Sequence, residues 1–334
     1  MKQIVIIYLI GIIVVFFLPV LWVKPFPKPK QEIIEKNNKV RLLQSETGEI
    51  ITIELEEYIM GVLIGEMPVT YELEALKAQA VVARTYTLNK MINSPNSHEG
   101  ADMCDSIEHC QAYKTKEYAL SCWDNNEENE KWNKIKTAVL ETKNQVITYQ
   151  GELINAFFHA HSGGKTEDSM NIWGRENIPY LKSVEGFENR ELIEQVTMEI
   201  SQLDKILKEN NLNYKSLLET NDISKQEELL KAENIEFLKE QIKILEKNSS
   251  GRVSKMQISN LVLEGTEVRN LFGLRSTFFD VIIEDGKLTF ETSGYGHGVG
   301  LSQEGANSMA LQGANYKDII LHYYTDVNIE ELKV

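Results

Sequence analysis

Basic residues are outnumbered in this sequence. The 35 lysines and arginines stand against 50 aspartates and glutamates, so the formal net charge is −15. A surface of this sign repels phosphate backbones, which argues against nucleic acid as a partner. Segments repeated at a fixed period are also lacking, which argues against a solenoid or another repeat architecture.

Two glycine-rich motifs that bind phosphate groups are missing as well. A P-loop ending in Gly164-Lys165-Thr166 requires a glycine five positions before Gly164, where this chain has His159. Between residues 294 and 300 glycine takes every second position, a spacing that differs from the G-x-G-x-x-G of dinucleotide-binding loops. The sequence therefore gives no support to a nucleotide-binding function.

Cysteine is scarce, with Cys104, Cys110 and Cys122 as its three occurrences. An odd number of cysteines cannot form a complete disulfide framework. Two of the three lie close to a histidine in the sequence. A fold built on a disulfide framework is therefore excluded, and the cysteine region needs another explanation.

The N-terminal region carries the one long apolar run. Residues 4–23 are uncharged, about the ~20 residues with which a helix crosses a bilayer. Because no small-x-small cleavage site follows, residues 1–23 are predicted to be a retained transmembrane signal anchor. Lysines lie on both sides of the run, so charge does not set its orientation. The proline-rich residues 24–38 are predicted to be an extended linker.

The remaining chain predicts an α+β fold, in which helices and antiparallel strands form a groove. An alanine-rich helix is predicted at residues 71–91, a hairpin at 145–149 and 153–158, and a helix at 303–311. The polar segment 93–122 is interpreted as a loop. Residues 188–250, rich in Glu, Lys, Asn and Leu, are interpreted as a helix-rich insertion or a second module. A catalytic body would then comprise residues 39–187 and 251–334.

Three segments carry a resemblance to a known family. They are residues 65–86, which begin with Gly65-Glu66-Met67-Pro68, residues 161–166 and residues 296–306. Together they closely resemble the stage II sporulation protein D family, membrane-anchored lytic transglycosylases of spore-forming bacteria. The resemblance runs from about residue 40 to residue 327 and is weakest across the insertion.

The resemblance implies that Glu66 is the catalytic acid, which cleaves peptidoglycan glycan strands between N-acetylmuramic acid and N-acetylglucosamine. Its product would be a 1,6-anhydromuramoyl end, formed by the muramic acid's own hydroxyl. The apolar neighbours Leu63, Ile64 and Met67 favour a raised pKa and a protonated carboxyl group. From these neighbours alone, a solvated glutamate between two helices is the competing interpretation.

The family's substrate-binding positions map onto three regions of this chain. They are Lys77, Arg84, Tyr86, Ser162, Gly163, Tyr295, His297, Ser302 and Gln303. Lys77 and Arg84 lie seven residues apart and share one helix face, which would otherwise be a solvated charged face. His297 would otherwise be a buried structural histidine, and Ser162 and Gly163 part of a structural turn.

The cysteine region resembles the zinc-binding arrangement of some family members. His98, Cys104 and Cys110 have the spacing H-x5-C-x5-C, and imidazole and thiolate suit zinc. We expect a structural zinc that holds this loop beside the groove. A Cys104–Cys110 disulfide, a ligand set that uses His109 or Cys122, and a catalytic zinc in a hydrolase remain alternatives.

The resemblance also implies a cellular setting. The chain would be a single-pass protein of the mother-cell membrane, with its bulk outside the cytoplasm, acting in engulfment of the forespore. Expected partners are peptide-stripped glycan strands, a cell-wall amidase similar to stage II sporulation protein P, and a membrane recruiter similar to stage II sporulation protein M. The alternative functions are a non-catalytic amidase enhancer and a purely structural wall-binding module.

Overall fold

The computed structural model describes residues 38–94, 97–124, 126–174, 177–190, 192–210, 212–217 and 235–332. The predicted transmembrane anchor lies outside this part of the chain, and so does the predicted linker as far as residue 37. Within the described residues, no helix combines the length and the apolar character needed to cross a membrane.

The first part of the chain alternates short strands and helices. In order they are β1 (Lys39–Leu43), β2 (Ile50–Glu54), α1 (Leu55–Glu66), α2 (Leu73–Asn93), β3 (Met103–Cys104), α3 (Lys116–Cys122), α4 (Glu128–Leu140), β4 (Gln145–Tyr149), β5 (Glu152–Leu153), β6 (Phe158–His159) and α5 (Ser169–Trp173). β1 pairs with β2 antiparallel and with β3 in parallel. The predicted alanine-rich helix is confirmed as α2, whereas the segment interpreted as a loop contains β3 and α3.

The middle of the chain forms two antiparallel sheets. Its elements are β7 (Leu192–Glu199), α6 (Ile200–Glu209), α7 (Ile235–Gln241), β8 (Ile242–Lys247), β9 (Val253–Ile258), β10 (Leu261–Glu264), α8 (Gly265–Phe272), β11 (Phe279–Glu284) and β12 (Lys287–Ser293). β9 lies between β8 and β10, and β12 lies between β7 and β11. The sheets and the helices share a hydrophobic core that includes Leu203, Met256, Phe279 and Phe290.

This second core does not stop at residue 250, where the predicted insertion ends. Phe279 and Phe290, which follow residue 250, are fully buried in it. β7 and β8 lie before residue 250 but pair with β12 and β9, which lie after it. Because a central strand needs partners on both edges to satisfy its backbone groups, the described residues of 188–250 fold together with residues 251–293. The pairing of β7 and β8 makes this segment part of a second module rather than a separate insertion, and its described part contains strands that the helix-rich composition did not indicate.

The chain then returns to the first core. It forms β13 (Leu301–Ser302), α9 (Gln303–Leu311), α10 (Tyr316–Tyr323) and β14 (Asn328–Glu331). β13 pairs in parallel with β6, and β14 pairs antiparallel with β4. The predicted helix at 303–311 is confirmed as α9. Mixed helices and antiparallel sheets confirm the α+β class.

Helix α2 is the centre of the first core. It contacts α1, α4, α9, α10 and β4, and its residues are buried on every side, from Ala75 to Met91. Alanines at positions 75, 78, 80 and 83 remove side-chain bulk, so neighbouring elements approach closely. A helix that is buried all round lies at the middle of a core rather than at its surface. Because of this position, charged side chains of α2 contact other protein groups.

Candidate active site

A cavity of about 590 Å³ lies between the first core and the second module, the part of the chain from β7 to β12 that carries the second core. Its wall combines the end of α1, the loop around Cys110, β6, α8 and the start of α9. Five of the predicted catalytic and substrate-binding residues line it together, although Glu66 and Gln303 are 237 residues apart in the sequence. They are Glu66, Tyr86, Tyr295, His297 and Gln303.

Glu66 is the last residue of α1 because of the proline that follows. Pro68 disfavours a helical backbone at the residue before it, and Met67 is extended, with φ −126° and ψ 141°. The Glu66 side chain is half-buried. Its Oε1 accepts a hydrogen bond of 2.6 Å from the backbone N–H of Ala112, while Nε2 of Gln303 lies 3.5 Å from Oε2. One oxygen is thus held firmly and the other loosely.

The surroundings of Glu66 favour its protonated form. Burial raises the pKa of Glu66 above its ordinary value, although the hydrogen bonds from Ala112 and Gln303 lower it in part. The carboxyl group also sits at the C-terminal end of a helix with no basic residue in its last turn, where the helix dipole disfavours a negative charge. A carboxyl group whose pKa is raised by burial is suited to act as a general acid.

Aromatic side chains form one connected face beside the acid. The ring of Phe157 lies 6.0 Å from Tyr86, 4.7 Å from Trp173 and 6.1 Å from His297, measured between ring centroids. Tyr86, Phe157 and His297 line the cavity. Trp173, at the end of α5, remains 41% exposed. Packed ring edges and faces of this kind present an apolar wall with a few polar groups.

His297 is neutral in this setting. Its Nδ1 accepts a hydrogen bond of 3.0 Å from the N–H of Val299, so the ring proton belongs on Nε2. Burial and then the positive charge of Arg269 lower the pKa of His297 to about 4. Near it Tyr295 accepts a hydrogen bond of 2.5 Å from Arg275 and leaves 40% of its surface exposed. Tyr295 is therefore the more accessible of the two.

Lys77 and Arg84 do not reach the cavity. Lys77 lies 2.7 Å from both Glu74 and Glu141. The Arg84 side chain is fully buried, with Nη2 2.6 Å from Glu56, and it also donates to the carbonyl groups of Val139 and Gln145. These contacts bind both side chains to other protein groups, and neither residue lines the cavity, whereas Tyr86 of the same helix does. The structure corrects their predicted contact with substrate.

Ser162, Gly163 and Ser302 lie behind the cavity wall rather than on it. The N–H of Ser162 and the hydroxyl of Ser302 both donate to Oε1 of Glu188, at 2.7 and 2.5 Å. Ser302 also caps α9 by accepting from the N–H of Gly305. Gly163 has φ 76°, and a Cβ there would approach the ring of Phe278 to 2.8 Å. These residues shape the loops, and the structure corrects their predicted contact with substrate.

The cysteine loop brings the predicted metal ligands together. The ligand atoms of His98, Cys104 and Cys110 all lie within 4.8 Å of one another. Pairing of β3 with β1 fixes Cys104, and Cys110 also lines the cavity. Both cysteines are free thiols, and Cys122 is exposed and outside this group.

The three ligand atoms fit a tetrahedral zinc ion. Zinc binds cysteine sulfur at about 2.3 Å and histidine nitrogen at about 2.0 Å, which separates neighbouring ligand atoms by roughly the spacing found here, such as 3.1 Å between Nε2 of His98 and Sγ of Cys110. Burial raises the pKa of Cys104 to about 11, so a thiolate there requires a strong cation. Zinc itself stays a prediction.

Several residues of the site were missed by sequence reasoning. Phe157 lies four residues before the recognised segment 161–166, and Trp173 lies seven residues after it, so aromatic residues near a motif are the signal that points to them. Glu188 holds Ser162 and Ser302 from a segment with no recognisable pattern. Arg269 lines the cavity from α8, and nothing in its local sequence distinguishes it from a surface arginine.

The fold and the site define a two-core α+β protein, with an aromatic-lined cavity built around one half-buried carboxyl group. Residues 44–149 match the family described as Stage II sporulation protein, and residues 167–300 match a domain of unknown function. The chain belongs to the stage II sporulation protein D family, as its motifs predicted.

Curated relatives support this membership. The chain is 32% identical over 310 residues to Stage II sporulation protein D of Bacillus subtilis (strain 168), covering 92% of this chain and 83% of that protein. It is 32% identical over 293 residues to the same protein of Bacillus amyloliquefaciens, with 87% and 78% covered. It is also 30% identical over 299 residues to the Amidase enhancer of Bacillus subtilis (strain 168), covering 80% of this chain and 39% of that protein.

Proposed function

We propose that this sporulation protein is a lytic transglycosylase that cleaves peptidoglycan glycan strands. The observation that carries the proposal is the Glu66 carboxyl group. Burial raises the pKa of Glu66, and the group faces a cavity with aromatic walls. A carboxyl group with a raised pKa holds its proton to higher pH than an exposed glutamate, and here it lies next to a surface that suits sugar rings.

In the proposed reaction Glu66 acts as acid and then as base. Its carboxyl group gives its proton to the oxygen between N-acetylmuramic acid and N-acetylglucosamine, and the bond from that oxygen to the muramoyl anomeric carbon breaks. The C6 hydroxyl oxygen of the same muramoyl ring bonds to the anomeric carbon, and its proton returns to the Glu66 carboxylate. The products are a 1,6-anhydromuramoyl end and a free N-acetylglucosamine hydroxyl.

One carboxyl group suffices for this route. Hydrolytic glycosidases use two carboxyl groups that flank the bond, and two close carboxylates raise each other's pKa. The pKa shift of Glu66 comes from burial and from hydrogen bonds to Ala112 and Gln303, without a contribution from another carboxylate of the described residues. The intramolecular hydroxyl has a high effective concentration, which removes the need for a second nucleophile.

In this proposal the metal ligands stabilise the cysteine loop. His98, Cys104 and Cys110 would hold zinc, and the ion would supply strong ligand bonds that fix the loop. This loop contains Ala112, whose N–H orients the Glu66 carboxyl group. The zinc site would therefore act on the reaction through the position of Glu66.

We also propose the cellular setting that the family's name supports. The relatives in two Bacillus species are sporulation proteins by name, and peptidoglycan cleavage fits engulfment of the forespore. The chain would be anchored in the mother-cell membrane with its bulk outside the cytoplasm. It would act on strands first stripped by a cell-wall amidase similar to stage II sporulation protein P, with a recruiter similar to stage II sporulation protein M.

A second candidate function is amidase enhancement without catalysis. Its support is the relative named Amidase enhancer, which matches 80% of this chain. The two functions are distinguished by incubating the purified full chain alone with amidase-stripped strands. Release of soluble glycan by the chain alone supports the transglycosylase. Absence of release, together with faster cleavage by an added amidase, contradicts it and supports the enhancer.

A further inference from the structure

Arg269 is a positive charge in the cavity that forms no ion pair with any residue that the structure describes. It extends from α8 of the second module and lines the same cavity as Glu66. Its Nε donates to the carbonyl oxygen of Leu274 at 3.2 Å. Burial is the main influence on the pKa of Arg269 and lowers it, and no carboxylate of the described residues offsets that effect.

Other arginines of the second module and its border are compensated. Arg275 pairs with Glu194 at 3.3 Å, and Arg190 pairs with Asp280 at 2.8 Å. Arg252 is buried but donates to the carbonyl oxygens of Ser162 and Lys165. A half-buried, charged arginine without an ion-pair partner among the described residues is costly, so its position on the cavity wall indicates an anion supplied by the ligand.

The histidines of the cavity do not share this role. Burial lowers the pKa of His159 well below its ordinary value, and His297 is neutral for the reason given above. A neutral imidazole offers one donor at most and no charge. Within the described part of the cavity wall, Arg269 is thus the group suited to a carboxylate.

We propose that Arg269 forms a carboxylate subsite for the lactyl group of N-acetylmuramic acid. This rests on the proposed function, which places a muramoyl residue beside Glu66. In a strand with stem peptides the lactyl carboxyl group is an uncharged amide, whereas an amidase leaves it as a free carboxylate. A guanidinium binds a carboxylate with two parallel hydrogen bonds and gains much less from an amide oxygen. Arg269 therefore distinguishes stripped from peptide-bearing muramoyl residues by charge.

The test compares two glycan oligosaccharides of equal length that differ only at the lactyl group. One carries the free carboxylate and the other its methylamide. Binding is measured by calorimetry with the full chain carrying Glu66→Gln, so that no cleavage intervenes. We expect the carboxylate form to bind about tenfold more tightly, as one charge-assisted pair provides.

Three further variants, each made on the Glu66→Gln background, identify the residue responsible. Arg269→Gln should remove the preference, and Arg269→Lys should retain part of it, since the charge remains and only the paired geometry is lost. Lys255→Gln is the matched control, because Lys255 is an exposed cation of the same module, 3.5 Å from Glu246 and outside the cavity. It should keep the full preference.

Equal binding of both oligosaccharides, binding of neither, or a full preference in a folded Arg269→Gln chain would overturn the subsite. Loss of the carboxylate preference in Lys255→Gln to the same extent as in Arg269→Gln would also overturn the subsite. The proposed function fails separately, when the chain without substitutions releases no anhydromuramoyl product. Binding with a carboxylate preference in that case keeps the subsite and removes the catalysis.

Discussion

The Glu66 carboxyl group and the backbone of Ala112 are joined by a hydrogen bond of 2.6 Å. Ala112 follows Cys110 by two residues, and Cys110 lies beside His98 and Cys104. The loop that gathers the predicted metal ligands is therefore the loop that orients the acid. Oε1 is held by the N–H group, which leaves Oε2 as the oxygen available to carry and deliver a proton.

The first prediction concerns the stability cost of Glu66. Its pKa is raised in the folded chain by burial, so the ionised form is penalised. Below the ordinary pKa of glutamate the residue is protonated in both the folded and the unfolded chain, so the penalty is absent. Above the raised folded-state pKa the residue is ionised in both, so the full penalty lowers the stability of the fold. Glu66→Gln should thus have a Tm at pH 7 equal to or above that of the unsubstituted chain, by thermal unfolding. A Tm that falls well below it would contradict the buried position.

The second prediction is a pH shift caused by Gln303. Its hydrogen bond favours ionised Glu66 and lowers the pKa of that residue in part. Gln303→Met removes the donor at similar length, so the pKa of Glu66 should rise and the alkaline decline of glycan cleavage should move to higher pH. The measurement is the pH profile of kcat on stripped strands. An unchanged or more acidic decline would show that Gln303 does not act on Glu66.

The third prediction concerns the metal. Cys104→Ala should remove zinc from the purified chain and lower its Tm, whereas Cys122→Ala should retain zinc because Cys122 is exposed and outside the ligand group. Metal content by mass spectrometry checks both. After chelation, any remaining product should still be an anhydro sugar. A chain that normally produces reducing ends and loses all cleavage on chelation would instead have a catalytic zinc.

The fourth prediction separates a structural from a binding role of Arg84. Arg84→Met should destabilise the fold by about 3–5 kcal/mol, because it leaves Glu56 without its buried partner. The double variant with Glu56→Leu should recover part of this loss, since no unpaired charge remains. Chemical denaturation measures both. Normal stability of Arg84→Met, with weakened glycan binding, would restore the role that the sequence indicated.

Local patterns in the sequence located α2, α9 and β4, since alanine content and apolar spacing act over a few residues. The predicted second strand of the hairpin, at 153–158, is mostly wrong, because the strand that pairs with β4 is only Glu152–Leu153 and β6 pairs with β13 instead. Local patterns did not tell which way Arg84 points, because a charged residue on a helix reads as exposed unless its neighbours in space are known. The sequence did not predict the second core for the same reason. β7 and β8 belong with strands far along the chain, and composition alone ended their segment at residue 250.

In the candidate site, too, local motifs were recognised from the sequence, whereas contacts between distant segments were not. Glu66 and the three metal ligands were recognised by motif, and the structure brings the ligand atoms of His98, Cys104 and Cys110 within 4.8 Å. Ser162 and Ser302 were recognised too, but they bind Glu188 behind the wall. Arg269 reaches the cavity only through the packing of the second module, which no local pattern reveals.

The most direct test is the mass of the new glycan end. The purified full chain, incubated alone with amidase-stripped strands, should release fragments whose muramoyl end is lighter by one water molecule than a reducing end. The Glu66→Gln chain, equally folded, should release none, because only proton transfer is lost. Fragments with ordinary reducing ends, or undiminished release by Glu66→Gln, would contradict a transglycosylase that depends on this carboxyl group.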